Sequence, residues 1–271
     1  PILYYVIERL KKSERIEKII VATTTEPKDD LIENFCKNNG NISVFRGSTN
    51  DVLSRFIQAA EQNEIKTVVR ICSDSPLIDS KTIDHMIDQL YHENADLVSI
   101  RPEETSLLDG FEVTTLDFLK KMHDLSTKDY HLEHVTYLAK ENENIGKVIY
   151  YKVPSELQIK DIRITIDTKE DLEFMREVFK WLYQEDSVID VRKIDHLPHH
   201  IFRINRAVHQ KDATDKSWEI EIISEKENDK LKEFIGFLEK KLFTQVRFST
   251  HEISDNHIES DDKKIYLKFI N

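Results

Sequence analysis

The sequence predicts a three-layer α/β fold with a mainly parallel sheet, and three observations carry that prediction. Short β-branched runs recur along the first hundred residues, at Lys18–Ala22, Ile42–Phe45, Thr67–Cys72 and Ala95–Ile100. Each is strand-length and nearly continuous in apolar character, as strands buried on both faces are. Helical patterns lie between them, which is the signature of βαβ units.

The elements follow in order. Ile2–Leu10 places apolar residues at Ile2, Leu3, Val6, Ile7 and Leu10, a helical period, and ends in the cations Lys11 and Lys12. After the strand at 18–22, Asp29 caps a helix to Asn38, and Asn39-Gly40 closes it. Asp51–Gln62 reads as a helix, and Ser80 opens another to Glu93. Beyond Arg101 the pattern becomes strand Phe111–Thr114, helix Leu116–His123, helix His131–Lys140, and strands Lys147–Val153 and Ile162–Ile166. Glu170–Gln184 is strongly amphipathic, with Leu172, Phe174, Met175, Val178, Phe179 and Leu182 on one side. Val188–Asn205 is less regular.

These elements assign residues 1–205 to one α/β domain. Residues 206–271 read as a small α+β module or oligomerisation arm, with strands at 218–223 and 265–270 around a helix at 228–243. Its 12 Lys plus Arg and 14 Asp plus Glu describe a solvated surface.

The whole chain carries 39 Lys plus Arg against 51 Asp plus Glu, a net charge of −12, which excludes a generally basic nucleic-acid binder. No apolar run reaches the ~18–20 residues that span a bilayer. Two cysteines cannot build a disulfide framework, and Cys36 and Cys72 read as small buried residues in a reducing, cytoplasmic setting. The five glycines are too scattered for a GxGxxG or Walker-type loop. His196, His199 and His200 lack the spacing of a zinc motif.

Four segments hold candidate chemistry. In Val68–Asp79 a buried strand ends at Asp74, and Pro76 turns the chain just beyond. Ligands of open α/β sheets bind outside the carboxyl ends of the strands, where an Asp suits a hard cation such as Mg2+. In the competing reading Asp74 and Asp79 only satisfy turn and cap donors. Asp167 ends a second strand, Arg163–Ile166, and can face Asp74 if both strands share a sheet; alternatively Asp167 or Thr168 caps the next helix. In Val44–Arg55, Gly47-Ser48 makes a tight turn, and Arg46 and Arg55 suit an anionic ligand. The alternative is a cap at Ser48 or Asp51 with solvated arginines. Glu133 and His134 either bind a polar substrate or decorate an ordinary helix.

Together and in this order, these segments resemble the cytidylyltransferase family of spore coat polysaccharide biosynthesis protein F, with acylneuraminate cytidylyltransferase and CMP-Kdo synthetase as wider relatives. Phe45-Arg46-Gly47-Ser48 with Asp51-Val52-Leu53 and Arg55 matches that family's FRGS…DVLxR block. Ser73–Asp79 stands where the family has Ala-Asp-Cys-Pro-Leu-Ile-Asp. Asp109-Gly110-Phe111-Glu112-Val113, Glu133-His134-Val135-Thr136 and Arg163–Leu172 resemble three further blocks. The likeness covers residues 1 to about 205. Departures are Ser73 and Ser75 for Ala and Cys, and Thr114 and Thr115 where acidic residues are common.

The resemblance implies a Rossmann-like, nucleotide-diphospho-sugar transferase-like fold and transfer of CMP from CTP to a sugar or sugar acid, with release of pyrophosphate. It implies Mg2+ on the catalytic carboxylates Asp74 and Asp167. Nucleotide contacts fall to Arg46, Gly47, Ser48, Asp51 and Arg55, and substrate contacts to Asp109, Glu112, Glu133 and His134. Family members begin with a strand and an Arg- and Gly-Ser-bearing phosphate loop. This sequence opens at the following helix, so the expectation is a portion of a longer gene product that binds CTP poorly alone. A further expectation is a bare sheet edge between strands 18–22 and 67–72, through which a homodimer can form. Two other readings stand beside this one: a non-catalytic binding partner built on the same fold, and a nucleotidyltransferase for a non-sugar alcohol.

Overall fold

The computed structural model describes residues 1–40, 42–101, 104–105, 107–108, 110–160, 162–185 and 187–208. It also describes three strands beyond them, 219–223, 246–249 and 266–270. The chain divides into two compact units, 1–209 and 210–271.

In the first unit the order is α1 (Ile2–Leu10), β1 (Ile20–Thr24), α2 (Asp30–Asn38), β2 (Ser43–Gly47), α3 (Val52–Gln62), β3 (Thr67–Ile71) and α4 (Ser80–His92). There follow β4 (Leu97–Ser99), β5 (Phe111–Thr115), α5 (Leu116–Leu125), α6 (Asp129–Glu133), α7 (Tyr137–Glu141), β6 (Val148–Tyr150) and α8 (Lys169–Leu182). Side-chain caps set several helix starts. Asp51 accepts from the Ser54 N–H (2.8 Å), and Thr115 from that of Phe118 (3.2 Å). Thr168 and Asp171 form a reciprocal capping box at α8.

The four-stranded sheet runs β3-β5-β4-β6. β5 is antiparallel to both β3 and β4, while β6 is parallel to β4, so three strands share a direction and β5 opposes them. The α/β class expected from sequence is present, with β5 as the inserted antiparallel strand. Residues along the strands alternate between two cores. Leu97 and Val68 pack with Leu53, Phe118, Leu119 and Met122 of α3 and α5. Val98 and Val113 pack with Val6, Ile83, Met86, Phe174 and Val178 of α1, α4 and α8. This period-two division makes the three layers.

Four expectations need correction. β1 and β2 form their own parallel pair rather than sharing the sheet of β3. The link between the two sheets is α3, which packs on β1, β2 and α5 in place of a strand ladder. Among the described residues, β1 and β3 each have no strand partner on one side. Ile162–Ile166 is extended but joins no ladder. His131–Lys140 is two short helices, interrupted at His134–Thr136, where the Thr136 hydroxyl donates to Glu112 (3.1 Å). Cys72 is half-buried, whereas Cys36 is fully buried.

In the second unit β7 (Glu219–Ile223) pairs with β8 (Val246–Ser249) in parallel and with β9 (Tyr266–Ile270) antiparallel. β8 was not expected from sequence, and the helix expected at 228–243 lies outside the described residues.

Phe174 is fully buried in the core beneath α1 and α4. Phe174→Ala should therefore lower unfolding free energy by about 3–5 kcal/mol, measured by urea titration of the chain.

Candidate functional site

Two loops meet at one end of the four-stranded sheet. The first follows β3 and carries Ser73–Asp79. It is anchored by the Cys72 N–H, which donates to the Gly110 carbonyl (2.9 Å), and by Asp79, which accepts from the Thr82 N–H (3.0 Å) and hydroxyl (2.8 Å). Gly110 sits at φ +88°, and a Cβ there would strike the Ser75 hydroxyl. Only glycine both adopts that conformation readily and lets the strap before β5 lie against the Asp74 loop.

The second loop precedes α8. The Ile166 N–H donates to the Asp74 carbonyl (3.0 Å), which sets Asp167 beside Asp74. The Asp74 carboxyl is pushed up, first by burial and then by the charge of Asp167, while the Ser75 hydroxyl (3.2 Å) and Arg70 act the other way. Asp167 is exposed and paired with Arg163 Nη2. Behind them lies Asp171, fully buried, which accepts from Arg163 Nε (2.9 Å), Asn205 Nδ2 (3.0 Å), the Thr168 hydroxyl (3.0 Å) and the N–H groups of Asp167 (3.2 Å) and Thr168 (3.0 Å).

Beside Asp74 the sheet carries a largely buried ion pair. Arg70 and Glu112 face each other in the β3–β5 register and bond at 3.2 Å. Burial alone would lower the Arg70 pKa, but Glu112, with help from Cys72 and Asp74, drives it upward. The other Glu112 oxygen accepts from Thr136. Arg70, Thr136, Asp171 and Asn205 were not expected as site residues from sequence. Arg70 was visible as the one charge inside the apolar run Thr67–Cys72.

The arginine-bearing segment lies at the end of β2. Arg46 is held by the protein itself. Its Nη1 bonds Asp30 (2.7 Å) and Glu33 (3.0 Å), and Nε and Nη2 donate to the carbonyls of Thr24 (2.6 Å) and Glu26 (2.8 Å). These bonds fasten α2 to the β1–β2 pair. Ser48 accepts from the Asp51 N–H (3.0 Å), and Asp51 caps α3 and meets His123 (3.0 Å). Arg55 differs, because its Nε is buried without a hydrogen-bond partner. Burial pulls its pKa down against the charges of Asp29 and Asp51. Its stem lies on Gly47, where a Cβ would approach Arg55 Cγ to 2.8 Å.

Among the described residues no hydrogen bond or ion pair joins this segment to Asp74, Glu112 or Asp167. Glu133 is exposed at the end of α6, and His134 follows it with its ring 6.2 Å from that of Tyr137. Asp109 lies outside the described residues.

The Asp74–Asp167 pair suits a hard divalent cation. Its donors are carboxylate oxygens, and the like-charge repulsion that raises Asp74 is what a cation would relieve. Arg163 already offsets part of the charge on Asp167, and no group of three or more ligating side chains exists among the described residues. Such a donor set fits Mg2+, which is commonly held by one or two carboxylates and keeps several waters.

Over most of its length the chain is similar to known proteins. Residues 1–195 match the family described as cytidylyltransferase. An uncharacterized protein of Methanocaldococcus jannaschii is 39% identical over 215 residues, covering 78% of this chain and 86% of that protein. Spore coat polysaccharide biosynthesis protein SpsF of Bacillus subtilis is 27% identical over 184 residues, covering 66% and 75%. The solved structure of a cytidylyltransferase from Leptospira borgpetersenii superposes with a TM-score of 0.67 at 33% identity, over 77% of this chain and 88% of that one.

The Asp171 cluster gives a test of stability against pH. Burial alone would raise the Asp171 carboxyl, but Asn205, Arg163 and the N–H groups of Asp167 and Thr168 outweigh it and hold it below the ordinary range. The stabilisation is present above the unfolded value of about 3.9 and is lost as pH falls through the lower folded value. Asp171→Ala should cost about 3–5 kcal/mol at pH 7, because Arg163 loses its buried partner and retains the exposed Asp167, while Asn205 and the α8 cap lose their acceptor. Urea titrations of both proteins should show that difference shrinking below pH 4, about the unfolded carboxyl value.

Proposed function

The chain belongs to the cytidylyltransferase family, and on that premise we propose that it transfers CMP from CTP to a sugar or sugar acid in surface polysaccharide or glycan biosynthesis. The observation that carries this reading is the placement of Asp74 beside Asp167, with the Arg70–Glu112–Thr136 cluster adjoining.

In the reaction a sugar hydroxyl oxygen attacks the α-phosphorus of CTP and gives up its proton to water. The bond from that phosphorus to the bridging oxygen breaks, and pyrophosphate leaves in line. Asp74 and Asp167 are the residues that would hold Mg2+, which supplies charge neutralisation at the phosphate oxygens when bound. Arg163 fixes the Asp167 carboxylate, and Asp171 in turn fixes Arg163. Glu112 is oriented by Arg70 and Thr136, and its remaining lone pairs can accept from a sugar hydroxyl.

Arg55, with its unspent Nε, and the Gly47-Ser48 turn are assigned to the nucleotide. Arg46 and Asp51 support that turn from behind through their bonds to α2 and α3. Glu133 and His134 are kept as the more distant side of the sugar site.

A screen of nucleoside triphosphates and sugar acceptors against the protein, read by pyrophosphate release, tests the reading. CTP should be preferred, and release should require a divalent cation. Asp74→Asn should lower turnover by about 100-fold or more, in keeping with loss of a phosphate-charge clamp, while leaving the melting temperature within a few degrees. Pyrophosphate release that is equally fast in Asp74→Asn would overturn the assignment.

A further inference from the structure

Apart from the carboxylate site, α1, α8 and the segment 187–189 enclose a cavity of about 290 Å3, with Pro76 of the Asp74 loop on its wall. Aromatic rings build one side. Tyr5 stands edge-on to Phe179 and to Tyr183, with centroids 4.5 and 5.8 Å apart, and Phe179 stacks on Tyr183 at 5.7 Å. Tyr4 continues the wall edge-on to Tyr5 and is 38% exposed.

The other side is cationic. Arg9 is only 5% exposed, yet its partners are neutral: Nε donates to the Ile78 carbonyl and Nη1 to that of Ile189 (2.7 Å). Among the described residues it makes no ion pair. The acids nearest in influence, Asp79 and Asp190, are engaged with Thr82 and Arg192. Burial dominates and brings the Arg9 pKa down to about 10, against the pull of those two acids. A buried guanidinium is ordinarily matched by a carboxylate, and among the described residues this one, which lines the cavity, has no acceptor for Nη2. Lys12, just past the end of α1, lines the same cavity and is exposed. Glu8 is the acidic lining residue, and it is paired with Lys11 at 2.7 Å.

We infer that this cavity is a binding site for a small organic anion with a planar apolar body. Its carboxylate or phosphate head meets Arg9 and Lys12, and its body lies against Tyr4 and Tyr5. The ring walls supply area at low entropic cost, and the guanidinium supplies a charge-assisted, geometrically specific contact. The site is separate from the proposed nucleotide contacts, since none of its lining residues belongs to them.

Calorimetric titration of the whole chain in metal-free buffer tests this with phenyl phosphate and benzoate as probes and benzamide as their neutral counterpart. At least one anion should bind about tenfold more tightly than benzamide, and which one binds identifies the head group. Lys12→Ala and Tyr4→Ala alter exposed positions and so keep the test independent of folding. Each should weaken the anion by about three- to tenfold, as loss of one charged or aromatic contact does, while Asp74→Asn leaves it unchanged. Arg9→Met should abolish binding in protein whose circular dichroism is native. The inference is overturned if neither anion binds better than benzamide. It is also overturned if Asp74→Asn abolishes binding while Lys12→Ala and Tyr4→Ala spare it, since the anion would then occupy the carboxylate site.

Discussion

Asp171 accepts five hydrogen bonds from four residues, and the arrangement of the candidate site depends on that single carboxylate. Two of the bonds come from the backbone entering α8 and one from the capping Thr168. One comes from Arg163 and one from Asn205, far along the chain. A buried charge this well satisfied holds its surroundings in one geometry, because any other arrangement would leave it unpaired in a dry environment. What it fixes is the segment from Arg163 to Thr168, and with it the side chain of Asp167. The same segment reaches the Asp74 loop through one backbone bond, from Ile166 to Asp74.

Much of the fold was legible in the sequence. Strand runs at 42–45 and 67–72 and helices at 2–10, 51–62 and 80–93 lie close to the observed elements, because apolar period and cap chemistry are local properties. Partnering is not local. The same β-branched run at Phe111–Thr115 serves either strand direction, and it is the ladder, with Thr67 opposite Thr115 and Ile71 opposite Phe111, that makes it antiparallel. Ile162–Ile166 has strand composition, but its backbone bonds go to a loop rather than a ladder.

The candidate site divides in the same way. A carboxylate at a strand end is readable, so Asp74 and Asp167 were expected to meet, although the segment before Asp167 is not a sheet strand. Asp171 was readable as a favourable acid near a helix start, and its bond to Thr168 fulfils that. Its bonds to Arg163 and Asn205 depend on packing that no local pattern encodes. Arg46 shows the reverse case. Its position in a strand-to-turn segment suggested an anion site, yet Asp30 and Glu33 from α2 take up its charge.

The closeness of Asp74 and Asp167 is the claim on which the functional account rests, and the Asp74 carboxyl reports it directly. Carboxyl-carbon NMR of metal-free protein, titrated in the native chain and in Asp167→Asn, measures the mutual influence. The account predicts an Asp74 pKa above the ordinary carboxylate value in the native protein, because burial and the neighbouring charge both act on it, and a fall when Asp167 is neutralised. An Asp74 titration that Asp167→Asn leaves unmoved would show that the two carboxylates do not share a site.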